Sequence, residues 1–289
     1  MNKPRCECAM RGPVDLHTHT TASDGTFSAK ELVLLAREAG LCAVAVTDHD
    51  TVSGLDEALR AGERYGVEIV PGCELAVSSP YGEVHLLGLW LPFRAPRLSA
   101  ALERIRLARD ARNEEMVELF RKAGYDVNYT ELLALASGES VGRPHMARLL
   151  LQKGICASPR EAFSRFLADD KPMYVPRVIP TLEEGLSLLK SEGAITVFAH
   201  PMLLKAPLDK LERVVITMAE QGLDAIEAYH SEHDAKATRR AVALAKRYGL
   251  ALSGGSDFHG AARPDVLLGS GKGNLHIPFT VLESLRTLR

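Results

Sequence analysis

Charge of either sign is nearly balanced out in this chain: 35 basic against 37 acidic side chains leave a formal net charge of -2 over 289 residues. Near-neutrality excludes a global field for gathering nucleic acid, so any recognition of phosphates must come from a local cluster, and no stable DNA complex is expected. Long apolar runs are missing as well. No stretch reaches the roughly 18 residues of a membrane span, and the opening MNKPRCECAMRG lacks the apolar core of an export signal, so neither insertion nor export is expected. Cysteine is scarce and odd in number: Cys6, Cys8, Cys42, Cys73 and Cys156. The last three lie in apolar or helical stretches, the usage of a reduced, cytoplasmic chain. Cys6 and Cys8 form a C-x-C pair with no second pair, which favours a tail over a zinc site. Aromatic residues are few, and the spacing of Tyr65, Tyr81, Trp90 and Phe120 makes no stacking platform, so core packing is expected for most of them.

What is present is an ordinary globular composition, 46% hydrophobic and 25% charged, long enough for one large α/β domain or a domain with an insertion. From residue 13 onward, short β-branched runs alternate with helical ones, the pattern of βα units around a mainly parallel sheet. VDLHTH reads as the first strand; SAKELVLLAREAG follows with apolar residues at helical spacing, Ser28 as N-cap and Gly40 as its close. CAVAVTDHD, LDEALRAGERYG and VEIVPGCE continue the rhythm, and LAVSSPYGEVHLLGLWL predicts a hairpin turning at Ser79 to Gly82. Between about 99 and 175 the strand signal disappears into helical segments, then the βα rhythm resumes. The organisation expected is a mainly parallel α/β domain in two parts, 13–98 and 176–289, with a helical insertion over 99–175.

Polar residues concentrate at the ends of the predicted strands: HTH, TDHD, GCE, FAH, AYH and SDFH, with His85 inside the hairpin. In a βα barrel those ends converge on one face, so residues from 17 to 259 can meet in one site. His17 and His19, at i and i+2, share a side if the segment is extended. Histidine and carboxylate without cysteine form a ligand set suited to manganese, iron or zinc in a partly open site. The candidates exceed what one ion takes, which suggests two or three metals and phosphate-ester hydrolysis.

DLHTHTTASDG, TDHDTVSG, PGCE, His85, FAHP and GSDFHG, in that order, resemble the motifs of the PHP family, named for polymerase and histidinol phosphatase. The resemblance covers about residues 13 to 260 and is greatest to 3′,5′-nucleoside bisphosphate phosphatases and 5′-to-3′ exoribonucleases. It implies a distorted (β/α)7-type barrel with a helical insertion domain. It also implies a trinuclear centre: His17, His19, Glu74 and Asp257 on one ion, Asp24, His49 and His259 on a second, and Glu74 bridging to a third held by His85 and His200. Three divalent ions are expected, manganese first, with iron or zinc as alternatives.

The mechanism expected is attack by a hydroxide shared between ions, with His230 or His233 giving the leaving alkoxide its proton. Arg109, Arg112 and Asn113 fall on one helical face, and Arg143 and Lys171 lie further along the insertion with His145 and Arg177 nearby. In related phosphatases such basic residues hold the substrate's other phosphate, and His233 matches a substrate-binding histidine. Arginine suits that task through its bidentate fork. The partner expected is a small nucleotide, such as 3′-phosphoadenosine 5′-phosphate, or short single-stranded RNA; nothing in the pattern specifies an oligomeric state. Histidinol-phosphate hydrolysis and a non-catalytic metal-binding module are the competing readings. Asp15 has two: partner of a ligand histidine's second nitrogen, or anchor of its strand. Cys73 is expected to be a small buried residue and His276 a surface one.

Overall fold

The structure, a computed structural model, describes residues 12–135 and 141–289; Cys6 and Cys8 lie outside the described residues. The described residues separate into two compact units, one within residues 12–99 and 180–289 and one within residues 100–135 and 141–179.

In the first unit, β1 (Val14–Asp15), α1 (Ala29–Glu38), β2 (Ala43–Val46), α2 (Leu55–Tyr65), β3 (Glu68–Ser79) and β4 (Gly82–Leu89) precede α3 (Pro96–Lys122). After the second unit come α7 (Leu182–Ser191), β5 (Ile195–Phe198), α8 (Leu208–Glu220), β6 (Ala225–His230), α9 (Ala235–Tyr248), β7 (Ala251–Gly255) and α10 (Phe279–Arg286). Helix ends follow local chemistry. Ser28 and Glu31 form a capping box on α1, Asp234 accepts from the Ala237 N–H on α9, and Gly66 and Gly249 end their helices in the left-handed conformation.

The strands pair in chain order, β1 to β7, parallel throughout except for β4, which runs antiparallel to both neighbours. VEIVPGCE and the first arm of the hairpin form one continuous strand rather than two. Strand β2 shows the alternation that builds the layers: Ala43 and Ala45 join the cluster of Val14, Leu16, Val70, Leu87 and Val197, whereas Val44 and Val46 face the α1 and α2 side with Val33, Ala36 and Ala58. No helix among the described residues is long and apolar enough to cross a membrane.

Closure brings β7 back to β1 and gives a nearly closed barrel. Leu16 N–H donates to Gly254 O at 3.1 Å and Asp257 N–H to His17 O at 2.9 Å. A side chain at Gly255 would put its Cβ 2.2 Å from that of His17, so only glycine permits the approach. Asp15 is fully buried and accepts from Ser256 N–H and Gly269 N–H, both at 2.8 Å. It is therefore the anchor of its strand. The first strand itself is shorter than VDLHTH implied, because pairing stops at Asp15 and returns as a single bridge from Thr18 to Phe258.

The second unit contains most of α3 with α4 (Tyr129–Leu135), α5 (Arg143–Gln152) and α6 (Pro159–Ala162), the last continuing as a π-helical turn over Phe163–Leu167. Its own core gathers Met116, Phe120, Leu132, Met146, Leu150 and Phe166. Since α3 begins at Pro96, a division at 98/99 falls inside a helix, where a proline at the first turn starts the helical path early.

Replacing Asp15 by Ala strands the buried Ser256 N–H and the part-buried Gly269 N–H, and a loss of about 3 kcal/mol is expected. Urea unfolding of the chelator-treated protein measures it; a loss under about 1 kcal/mol would mean that closure does not lean on this carboxylate.

Candidate metal centre

Glu74 stands at the centre. It lies on β3 where that strand passes the end of β2, held by Glu74 N–H to Asp48 O at 3.1 Å and Asp50 N–H to Glu74 O at 2.8 Å, and it is fully buried. Its Oε1 lies 2.7 Å from His85 Nδ1 and 2.9 Å from His200 Nε2. Its Oε2 lies 2.9 Å from His49 Nδ1 and 3.2 Å from the Nε2 atoms of both His17 and His19. Five imidazoles thus converge on one carboxylate. Asp257 Oδ1 is 3.2 Å from His19 Nε2 and 3.6 Å from His17 Nε2, while Asp24, half-exposed on its turn, is 3.3 Å from His259 Nε2.

All nine residues proposed from the sequence as metal ligands meet in the first unit. Their donor atoms form three overlapping groups, each within 4.8 Å: His17, His19, Glu74 and Asp257; His19, Asp24, His49 and His259; and His49, Glu74 and His85. His200 reaches the third group through the Glu74 oxygen that it shares with His85. Overlap is greater than the motifs implied, since His19 and His49 each belong to two groups.

The donor set fits cations. His17 Nε2, both ring nitrogens of His19 and Glu74 Oε2 are buried and make no hydrogen bond, although carboxylates stand near them. Such groups each cost about 1–3 kcal/mol when left unsatisfied, and imidazole nitrogens facing carboxylate oxygens are what a divalent ion takes. The backbone is bent to supply them: His200 has φ 29° and Asp257 φ 57°, left-handed values rare outside glycine.

Electrostatics tells the same story from the proton's side. Burial alone would raise the Glu74 carboxyl, but the imidazoles of His49, His17 and His85 hold it well below the carboxylate range. Burial disfavours charge on His19 and His85, yet Asp257 and Glu74 lift His19 to about 9, and Glu74 with Glu83 lifts His85 to about 10. Without cations, protons partly neutralise the acids. A cation entering must displace them.

Two acids were not anticipated from the motifs. His17 Nδ1 faces Glu227 Oε1 at 3.0 Å, so its ring partner is Glu227 and not Asp15, which takes backbone N–H groups instead. Asp48 is buried and accepts from Thr20 N–H at 2.7 Å, Thr20 Oγ1 at 2.7 Å and Ser23 Oγ at 2.6 Å, tying the turn that carries Asp24 to the loop that carries His49. An acid inside the apolar strand DAIEAYH was the available signal for Glu227.

His230 and His233 are both buried in the first unit. The basic candidates lie in the second. Arg112 Nε donates to Val175 O at 2.7 Å, Asn113 Nδ2 to Val141 O at 3.0 Å, and Arg143 to Leu167 O and Asp169; Lys171 pairs with Asp170. Burial, then the charges of Arg143, Arg177 and Arg109, press Arg112 down to about 10. His145 Nδ1 accepts from Gly142 N–H. Trp90 and Phe120 are buried, Tyr81 lies beneath the Lys210 amine at 5.4 Å, His276 is exposed, and burial pushes the Cys73 thiol far up, away from nucleophilic use.

Comparison with known proteins agrees with this geometry. The model of the PHP domain matches residues 15–166. A 5′-3′ exoribonuclease of Haemophilus influenzae is 32% identical over 245 residues, covering 85% of this chain and 89% of that protein. A 3′,5′-nucleoside bisphosphate phosphatase of Chromobacterium violaceum is 31% identical over 247 residues, covering 85% and 87%. The crystal structure of a Bifidobacterium adolescentis protein, provisionally described as a metal-dependent phosphoesterase, superposes with a TM-score of 0.81 at 29% identity over 96% of each chain.

A pH dependence follows for the metal-free protein. His19 and His85, raised in the folded state to about 9 and about 10, contribute stability in full below the ordinary value of 6.5 and lose it as pH rises through the folded values. The Tm in chelator should fall between pH 6.5 and about 10, measured by scanning calorimetry; a Tm that holds or rises there would mean neutral imidazoles.

Proposed function

Since the chain belongs to the PHP family and is a phosphoesterase on that ground, we propose that it holds three divalent cations, manganese by preference, and acts on the phosphates of nucleotides. The substrate class is a 3′,5′-nucleoside bisphosphate losing its 3′-phosphate, or 5′-phosphorylated short RNA releasing 5′-mononucleotides. The observation carrying this reading is the overlap of three donor groups through His19, His49 and Glu74, because ions sharing ligands stand close enough to act on one phosphate. Bound together, such ions polarise a phosphoryl group and make water nucleophilic at neutral pH. The free, buried thiols of Cys42, Cys73 and Cys156 support a reducing, cytoplasmic setting.

The protein's own contribution begins with the ligand sets: His17, His19, Glu74 and Asp257 for the first ion, Asp24, His49 and His259 for the second, His85, His200 and Glu74 for the third. His230 and His233 differ in what they can do with a proton. His230 Nδ1 accepts from Glu232 N–H at 3.1 Å, so its hydrogen sits on Nε2, and a second proton would set two N–H groups against each other. His233 turns Nδ1 to Ala228 O at 3.1 Å, which makes Nδ1 the donor and leaves a buried, unpartnered Nε2 to accept. His233 can therefore take and return a proton without breaking its backbone bond. We assign it to the substrate's hydroxyl and to the leaving oxygen, with His230 as a hydrogen-bond donor.

Arg109, Arg112, Asn113, Arg143 and Lys171 are assigned to the substrate's second phosphate. Support comes from Arg112, whose Nη2 is buried without a hydrogen bond and whose charge is opposed by three neighbouring guanidinium groups. An anion would relieve both conditions. A single amino alcohol phosphate has no second anion to offer, which disfavours the histidinol-phosphate alternative.

Manganese-loaded protein given 3′-phosphoadenosine 5′-phosphate, 5′-phosphorylated RNA pentamers and histidinol phosphate should release product from the first two, resolved by mass. Turnover of histidinol phosphate alone would overturn the proposal, and absence of both activity and bound metal would favour a binding module. Arg143→Ala should raise KM for the bisphosphate roughly 10-fold or more with kcat little changed, the effect of losing one charge-assisted phosphate contact.

A further inference from the structure

Glu227 lies in β6, fully buried, at the point where the pairing of β6 with β7 shifts register between Glu227 and Tyr229. A carboxylate placed in an apolar strand is expensive unless its oxygens are occupied. Both are: Oε1 stands 3.0 Å from His17 Nδ1, and Oε2 accepts from His200 N–H at 2.6 Å. The same two residues also meet Glu74, His17 through Nε2 at 3.2 Å from Oε2 and His200 through Nε2 at 2.9 Å from Oε1. Their rings stack with centroids 5.7 Å apart. The two imidazoles are thus held between one buried acid behind them and another in front.

The two contacts of Glu227 differ in kind. On His17 it requires hydrogen on Nδ1, which leaves the Nε2 lone pair facing Glu74 and Asp257. On His200 it holds the backbone, whose φ of 29° and ψ of 54° a residue with a Cβ does not adopt without support. We propose that Glu227 is a positioning residue that orients one ligand in each of two ions' shells, His17 for the first and His200 for the third, and so couples their occupancy. This rests on the trinuclear reading above. The second ion's set of Asp24, His49 and His259 has its own brace in Asp48 and does not depend on Glu227.

The test titrates Mn²⁺ into chelator-treated wild type, Glu227→Gln and Glu227→Asp, with calorimetry for affinity and elemental analysis for stoichiometry. Glutamine preserves size but turns an amino group toward one of the two donors, and aspartate is too short to reach both. Wild type should take up an ion for each of the three groups; the variants should bind two of them roughly 10- to 100-fold more weakly and the remaining one unchanged, with kcat falling by a similar factor and KM moving far less. Variants that fold in chelator and bind all ions with wild-type affinity would overturn the role of Glu227. Wild type that binds no manganese would overturn the trinuclear reading instead. Should neither variant fold, the ring-nitrogen resonances of His17 in zinc-loaded wild type decide: hydrogen retained on Nδ1 supports the assignment, and an Nδ1 without hydrogen overturns it.

Discussion

A buried carboxylate surrounded by five imidazoles is the constraint on which this structure depends. Among the described residues no lysine or arginine is drawn up to Glu74; its charge is met by His17, His19, His49, His85 and His200. Removing a carboxylate from water costs several kcal/mol unless partners replace the solvent, and histidines do so either as protonated rings or as co-ligands of a cation. The fold is arranged so that rings from beyond the ends of β1, β2 and β5 and from within β4 reach this residue. Strand β3 passes beside β2, the hairpin returns His85 alongside Ala76, and β5 delivers His200 from the far side of β4.

That convergence needs the barrel to close, and closure is where small residues and backbone donors matter most. Gly255 lets β7 lie against His17, and Asp15 draws the backbone of Ser256 and of Gly269 toward β1. Asp257 and His259 then continue beyond β7 into the centre, with Asp257 in the left-handed region. Strain of that kind persists only where surrounding contacts over-determine it. Here they do, since Asp257 N–H donates to His17 O and its carboxylate meets Arg263.

Much of this was legible in the residues themselves. Helix boundaries at Ser28, Gly66, Asp234 and Gly249 follow from caps whose chemistry is local, and the hairpin turn follows from Ser79–Pro80–Tyr81–Gly82. The metal candidates were legible for a different reason: their types and order match a recurrent family pattern, which no spacing rule alone supplies. Less legible were residues whose meaning depends on a distant partner. Glu227 looks like a misplaced charge until His17, 210 positions away, is beside it. Asp15, adjacent to the motif, looked like a plausible ring partner, but strand alternation sends its carboxylate to the closing strand instead. The strand limits moved too, because pairing across the ladder, not β-propensity, decides where β1 stops and β3 continues.

By itself the sequence determined which chemistry is available: histidine and carboxylate at strand ends, no cysteine among the proposed ligands, near-zero net charge, and a helical segment rich in arginine. These are properties of residue type and local order, which short-range physics preserves in any context. Only the tertiary structure decided how the donors are shared, with His19 and His49 each in two groups, and which acid orients which ring. Those outcomes turn on angles and distances of a few tenths of an ångström between residues remote in the chain. A hydrogen bond or a metal ligand is decided at that scale.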